Sequence, residues 1–220
     1  MRKVIIISTK NPTELLLENI RRYKEFYKDF EIIIIDSNST ILEIFDRLPR
    51  DIIIDYAKNE NYVLGAWKYA IEKYDYDLYL FVQDTLVPLR RIEGIDIIKD
   101  FSNIIYDIPY YTKLGLTKTE MNYEDLERLR ETYRNTKFSF ISNIPTEAII
   151  LCGAHTSFLA NKENSKKIIE LEDVYKEKQI KKEKIDCNFT ERTLGIMADY
   201  LGLNRMIMTT YFHKVNGGRK

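Results

Sequence analysis

Residues 3–39 read KVIIISTKNPTELLLENIRRYKEFYKDFEIIIIDSNS. Val4–Thr9 is a short apolar run with three isoleucines, and such a run bounded by breakers reads as a strand buried on both faces. Asn11-Pro12-Thr13 interrupts it. Glu14–Tyr27 then sets Leu15, Leu16, Ile20, Tyr23 and Phe26 at helical spacing. Glu31–Ile35 is a second apolar run, closed by Asp36-Ser37-Asn38-Ser39. Strand, break, amphipathic helix and strand make up one βα unit of a parallel sheet.

The same alternation continues. Thr40–Leu48 is predicted as a short helix before Pro49, Asp51–Tyr56 as a third strand, and Tyr62–Tyr74 as a helix with Leu64, Trp67, Ala70 and Ile71 on one side. Leu78–Val82 is a fourth strand, ending at Gln83-Asp84-Thr85, with Pro88 just beyond. The expected fold is α/β, a three-layer α/β/α sandwich with a mostly parallel central sheet and right-handed crossovers. Ligands of such sheets bind outside the carboxyl ends of the strands. Here those ends carry Ser8, Thr9, Lys10, Asp36, Ser37, Asn38, Lys58, Asn59, Gln83, Asp84 and Thr85.

The second half is less regular. Ile95–Ile105 reads as mixed helix or loop, and Tyr123–Tyr133 as a charged amphipathic helix. Glu147–Leu151 and Thr156–Ala160 read as short strands around Gly153. Lys162–Lys184 reads as one Lys/Glu-rich helix with solvated faces. Thr190–Leu201 reads as a helix stopped near Gly202, and Arg205–Phe212 as a final strand followed by a basic tail. No internal repeat or linker divides the chain, so one domain over residues 1–220 is expected.

Composition narrows the function classes. The 220 residues include 34 Lys plus Arg and 34 Asp plus Glu, so the basic excess of a nucleic-acid binder is missing. Hydrophobic content of 45% and charged content of 31% exclude wholesale disorder. The two cysteines, Cys152 and Cys187, form no CxxC pair, which argues against a disulfide framework or zinc knuckle. They read most simply as small buried hydrophobes. No apolar stretch approaches the roughly 18–20 residues of a membrane span, and Val4–Ile7 is too short for a signal sequence. The expectation is a soluble, cytoplasmic protein. No GxGxxG, Walker A or GxSxG sequence occurs, which disfavours NAD-type, P-loop and hydrolase-elbow chemistry.

Asp84 is the sharpest single feature. A carboxylate after a buried strand stands at the sheet's ligand edge. A turn-forming or helix-capping Asp at a strand end is the other reading, and from this residue alone the two are evenly matched.

The arrangement VIIIST, EIIIIDSNS, NENYVLGAWKYAIEKY and DLYLFVQDTLVPL resembles the GT-A fold of glycosyltransferases, especially family 2-like enzymes. Such enzymes transfer a sugar from a nucleoside diphosphate sugar to a hydroxyl acceptor. The resemblance implies a donor half at 1–90 and an acceptor half with a basic tail at 91–220. It puts Ser8 and Thr9 beside the nucleotide base and Asp36 on the base or ribose. Lys58, Asn61 and Gly65 would lie near the ribose and diphosphate, and Gln83 would also bind the donor. Asp84 would ligate Mn²⁺ or Mg²⁺. The family's Asp-x-Asp is here Gln83-Asp84-Thr85, so one carboxylate remains. A diphosphate, waters and another side chain could complete such a site, and metal independence is equally admissible.

The segment Phe189-Thr190-Glu191-Arg192-Thr193-Leu194-Gly195 resembles the one that opens the acceptor-site helix in inverting members, which makes Glu191 the candidate general base. The competing reading is a first-turn Glu complementing the helix dipole. His213 resembles a late histidine that ligates metal or contacts the diphosphate, and Lys214 would help neutralise the leaving diphosphate; a solvated basic terminus is the alternative. His155 stands where the acceptor approaches, or is a packed histidine with one hydrogen bond. Trp67 reads as core. Tyr106, Tyr110 and Tyr111 sit where an acceptor sugar could stack. A retaining mechanism stays open, as do a non-catalytic nucleotide-sugar-binding protein on the same fold, a nucleotidyltransferase and an α/β interaction module.

Overall fold

In the computed structural model, strand β1 (Lys3–Thr9) buries Val4, Ile5, Ile6 and Ile7 completely. It pairs in parallel with β2 (Glu31–Ser37) on one side and β4 (Leu78–Gln83) on the other. The described residues are 1–58, 62–96, 102–105, 112–113, 123–144, 149–150, 154–171, 173–174 and 184–215.

Successive side chains of a strand point to opposite faces, and β1 serves two cores accordingly. Ile5 and Ile7 join Ile32, Ile34, Leu80 and Val82 against Leu16, Ile20 and Tyr23 of helix α1 (Glu14–Phe26). Val4 and Ile6 join Ile33, Ile35, Tyr79 and Phe81 against Leu64, Trp67, Ala70 and Ile71 of α2 (Tyr62–Lys73). The second core also takes Ile168 and Ile169 from α4 (Lys162–Ile169) and Leu194 and Met197 from α5 (Lys184–Tyr200). Each fully buried Ile contributes about 1.5–3 kcal/mol relative to an exposed one, so the Ile runs hold both outer layers onto the sheet. Helix α3 (Tyr123–Tyr133), which keeps its predicted bounds, adds Leu129 and Tyr133 to that side.

Among the described residues the sheet has seven strands, in the order β10-β6-β9-β4-β1-β2-β3, where β3 is Ile53–Ala57, β6 Ser102–Ile105, β9 Phe158–Asn161 and β10 Asn204–Ile207. β9 runs antiparallel to both β4 and β6, and β10 runs parallel to β6. One reversed strand in seven matches the mostly parallel α/β expectation. Among the described residues two ribbons accompany the sheet. β5 (Leu86–Pro88) pairs with β11 (Phe212–Lys214), and β7 (Thr112–Lys113) with β8 (Ile149–Ile150). Among the described residues no helix is long and apolar enough to cross a membrane.

Several sequence expectations need correction. The predicted helix at Thr40–Leu48 is only a 3-10 turn at Phe45–Arg47. The Asn11 side chain, on a residue with φ of 51°, accepts from the backbone of Thr40 at 2.7 Å and draws that segment out of helical geometry. Ile95–Ile105 contains strand β6, stabilised by neighbours far away in sequence. The expected strand at Arg205–Phe212 divides into β10, a helical turn at Met208–Tyr211 and β11, because its two ends belong to different sheets. The charged run from Lys162 ends its first helix at Ile169, and α5 starts at Lys184, earlier than the predicted Thr190. The stop near Gly202 does hold. Gly202 takes φ of 69°, and the Gly202 and Leu203 amides return to Asp199 and Ala198, a left-handed helix cap.

Candidate functional site

The carboxyl ends of the parallel strands share one edge. Register aligns Thr9 with Asp36, Asp36 with Tyr56, and Ser8 with Gln83. Ser8, Thr9 and Asp36 are all buried there, while Lys58 is exposed just past β3 and Gly65 is half-buried in α2.

Asp84 is 7% exposed and is held at its amide, carbonyl and carboxylate. Its amide donates to the Ser8 carbonyl at 3.1 Å. Its carbonyl accepts from Asn19 Nδ2 at 2.6 Å. Its Oδ2 accepts from Thr9 Oγ1 at 2.5 Å. The turn after β4 thus aims the carboxylate by contacts from β1 and α1. Asp36 is committed locally, its two carboxylate oxygens accepting from the Ser39 hydroxyl and, at 3.0 Å, from the Ser39 amide. Asn38 there takes φ of 59°. The Asn11 amide donates to Ser39 Oγ at 2.6 Å, tying the β1 and β2 loops together.

The second half enters through Gln83. Its Nε2 donates to the His155 carbonyl at 2.8 Å, and its Oε1 accepts from Lys214 Nζ at 3.2 Å. Lys214 also reaches the Thr85 hydroxyl. It gets there because β11 docks beside the Asp84 turn, with Lys214 opposite Leu86 and the Val215 amide on the Thr85 carbonyl at 3.0 Å. His213 lies opposite Val87 and is exposed. Alternation along the strand puts it on the other face from Lys214, so its imidazole does not join that group. Among the described residues no set of three or more His, Cys, Asp or Glu could hold a metal ion.

Glu191 lies in the middle of α5, far from the first turn, where a helix-dipole role falls away. Its Oε1 accepts from the His155 amide at 2.9 Å and lies 3.8 Å from His155 Nδ1. Burial first, and the Lys214 charge second, push the His155 imidazole down to about 4. It is therefore neutral near pH 7, and its proximity to Glu191 is not an ion pair.

The backbone at this point is strained. His155 and Thr156 both have φ of 54°, which a β-branched Thr rarely adopts, at a cost of about 1–3 kcal/mol per residue. Three side chains from three elements brace the turn: Gln83 on the His155 carbonyl, Glu191 on its amide, and Trp67 Nε1 on the Thr156 carbonyl at 3.1 Å.

The structure therefore brings Ser8, Thr9, Gln83, Asp84, His155, Glu191 and Lys214 into one cluster made of two hydrogen-bonded groups, Ser8 and Thr9 on Asp84 and His155, Glu191 and Lys214 through Gln83, joined by the Gln83–Asp84 peptide. Asp36 borders it, and Lys58, Gly65 and His213 are not linked into it. Asn61, Tyr106, Tyr110, Tyr111, Cys152 and Gly153 lie outside the described residues, as do the Cys187 and Arg192 side chains. Asn19 and the Trp67 indole N–H escape sequence reading. Asn19 lies on the buried stripe of α1 with Leu16, Ile20 and Tyr23, and its polarity within that stripe is the one available signal.

Residues 4–87 match the family described as Glycosyl transferase family 2. The chain is similar to the crystal structure of S. aureus TarS, at 13% identity and a TM-score of 0.54, over 98% of this chain and 37% of that one. It is also similar to S. aureus TarS 1-349, at 14% identity and a TM-score of 0.52, over 98% and 60%. The same fragment in complex with UDP-GlcNAc gives 11% identity and a TM-score of 0.51, over 100% and 60%. The chain thus spans between 37% and 60% of the length of these TarS chains. A comparison with curated proteins finds no match. These likenesses make the fold GT-A.

Proposed function

We propose that this chain, a GT-A-fold protein whose first strands match glycosyl transferase family 2, transfers a sugar from a nucleoside diphosphate sugar to a hydroxyl acceptor with inversion. The observation that carries the reading is the Gln83–His155–Glu191 connection. It ties the donor edge, beside Asp84, to the carboxylate best suited to take a proton from an acceptor.

Glu191 accepts the proton of the acceptor hydroxyl, and the acceptor oxygen forms the new bond to the anomeric carbon. The bond from that carbon to the diphosphate oxygen breaks, and its electron pair leaves with the nucleoside diphosphate. Lys214, fixed by Gln83 and Thr85 at the strand edge, offsets the charge that builds on the leaving group. Ser8, Thr9 and the Asn11-braced Asp36–Ser39 loop shape the nucleotide end, with Lys58 and Gly65 on the ribose and diphosphate side. The oxygen donors of Asp84 and Thr9 suit a hard divalent cation, and Asp84 would hold Mn²⁺ or Mg²⁺ together with the diphosphate itself. Such an ion supplies charge stabilisation of the departing diphosphate. His213, exposed on the far face of β11, is left out of this set.

Release of nucleoside diphosphate from a panel of donor sugars tests the reading, beginning with UDP-GlcNAc, the ligand in one similar TarS structure. Glu191→Gln should suppress release while leaving donor binding intact. Release unchanged in that variant would remove Glu191 as the base, and absence of both binding and release would remove the transferase reading.

A further inference from the structure

His155 Nδ1 and Glu191 Oε1 are 3.8 Å apart, beyond hydrogen-bond range of each other. An oxygen placed about 2.8 Å from each would subtend roughly 85° between them, tighter than the tetrahedral ideal but within reach of a hydroxyl that both accepts and donates. Both side chains keep some solvent contact, at 26% and 23%. The left-handed turn, braced by Gln83 and Trp67, fixes the direction of the imidazole and the carboxylate together, because the same residue supplies the imidazole and the amide that holds Glu191. Strain of this kind, held by surrounding contacts, gathers at sites that work.

We propose that His155 and Glu191 form a two-point seat for the attacking hydroxyl, with the imidazole donating to its oxygen and the carboxylate accepting its proton. This rests on the transferase reading above and adds a second substrate-contacting residue to it. A neutral imidazole suits the task. It orients the hydroxyl by a hydrogen bond and does not place a cation beside the carboxylate that must collect the proton. The seat selects a group with one acceptor and one donor position, a hydroxyl or water. It disfavours an anionic acceptor, which Glu191 would repel.

Water is the smallest hydroxyl, so the test needs no identified acceptor. UDP-GlcNAc and the corresponding GDP, dTDP and CDP sugars are offered to the native protein, His155→Gly and His155→Asn, with diphosphate release and donor affinity measured for each. Gly keeps the left-handed backbone and the amide bond to Glu191 but removes the imidazole. Asn tolerates the same conformation and restores an N–H near the Nδ1 position. The expected result is about tenfold slower release in His155→Gly, the worth of one hydrogen bond, at unchanged donor affinity, with most of the loss recovered in His155→Asn. Native-like release by His155→Gly overturns the seat, as does failure of His155→Asn to recover. Donor binding by the native protein without any release overturns the seat and leaves the donor site standing. No donor binding at all overturns the transferase reading, and the seat with it.

Discussion

Thr9 Oγ1 donates to Asp84 Oδ2 at 2.5 Å across the ends of two neighbouring parallel strands, between residues 75 positions apart in the chain. The bond fixes the direction of the one carboxylate that ends β4, and it exists because β1 and β4 pair in register up to Ser8 and Gln83. Thr9→Val keeps the β-branched shape and removes the hydroxyl. It should weaken nucleoside diphosphate binding about three- to tenfold, the range of one hydrogen bond, and change the melting temperature little. Titration of the variant with UDP and the other nucleoside diphosphates checks this, and native-like affinity would show that Asp84 needs no aiming.

Asn19 is fully buried, and among the described residues its Oδ1 has no hydrogen-bond partner while its Nδ2 holds the Asp84 carbonyl. Burying an unpaired amide oxygen costs stability, so the residue is not there for the core alone. Asn19→Leu fits the apolar stripe and should leave thermal stability within about 1 kcal/mol of native, yet loosen the Asp84 turn. The measurable signature is weakened nucleotide binding in a protein that melts normally. A large loss of stability with unchanged binding would mark Asn19 as purely structural.

Trp67 packs against Phe81 with ring centroids 5.2 Å apart and donates to the Thr156 carbonyl. Trp67→Phe keeps an aromatic ring but leaves that carbonyl unpaired beside a small void, so a loss of about 2–4 kcal/mol is expected. Denaturant unfolding reads it directly. Diphosphate release should fall by more than the fraction unfolded explains, since the turn holding Glu191 is released.

At the opposite end of β1, Lys3 and Arg91 alternate with Asp29 and Asp96, all four contacts lying between 2.6 and 2.7 Å. The Arg91 hydrogen bond foremost, with Lys3 behind it, holds the Asp29 carboxyl well below the usual carboxylate range despite partial burial. A depressed folded value stabilises the protein above the unfolded value of about 3.9, and this contribution is lost as pH falls through the folded one. Asp29 is 44% exposed, so screening limits the effect to about 1 kcal/mol or less. Melting temperatures of Asp29→Asn should therefore lie slightly below native at neutral pH and low salt, and converge with native only as pH falls through the depressed folded value, or in high salt.

Much of the first 90 residues was legible because their strands are buried on both faces. Val4–Ile7, Ile32–Ile35 and Leu78–Val82 then become continuous apolar runs that need no partner to be recognised. Helices α1, α2 and α3 were legible by the 3.6-residue spacing of their buried stripes. Strand β6 and the division of β10 from β11 were not, since pairing with distant strands decides them. At the site, the strand-end rule singled out Asp84 and its neighbours, and resemblance singled out Glu191. Their connection through Gln83 and His155 spans 72 and 36 residues and leaves no local pattern. The indole N–H of Trp67 was hidden by the apolar bulk that placed it in the core.

The most direct test of the account is the thermal stability of the native protein and Asp84→Asn with UDP, GDP, dTDP and CDP, each with and without Mn²⁺. A ligand at 100 times its dissociation constant adds about 2.7 kcal/mol. The account predicts that one nucleoside diphosphate raises the native melting temperature and that Asp84→Asn loses most of the gain. No shift with any nucleotide, or an equal shift in both proteins, would contradict a donor site at the end of β4.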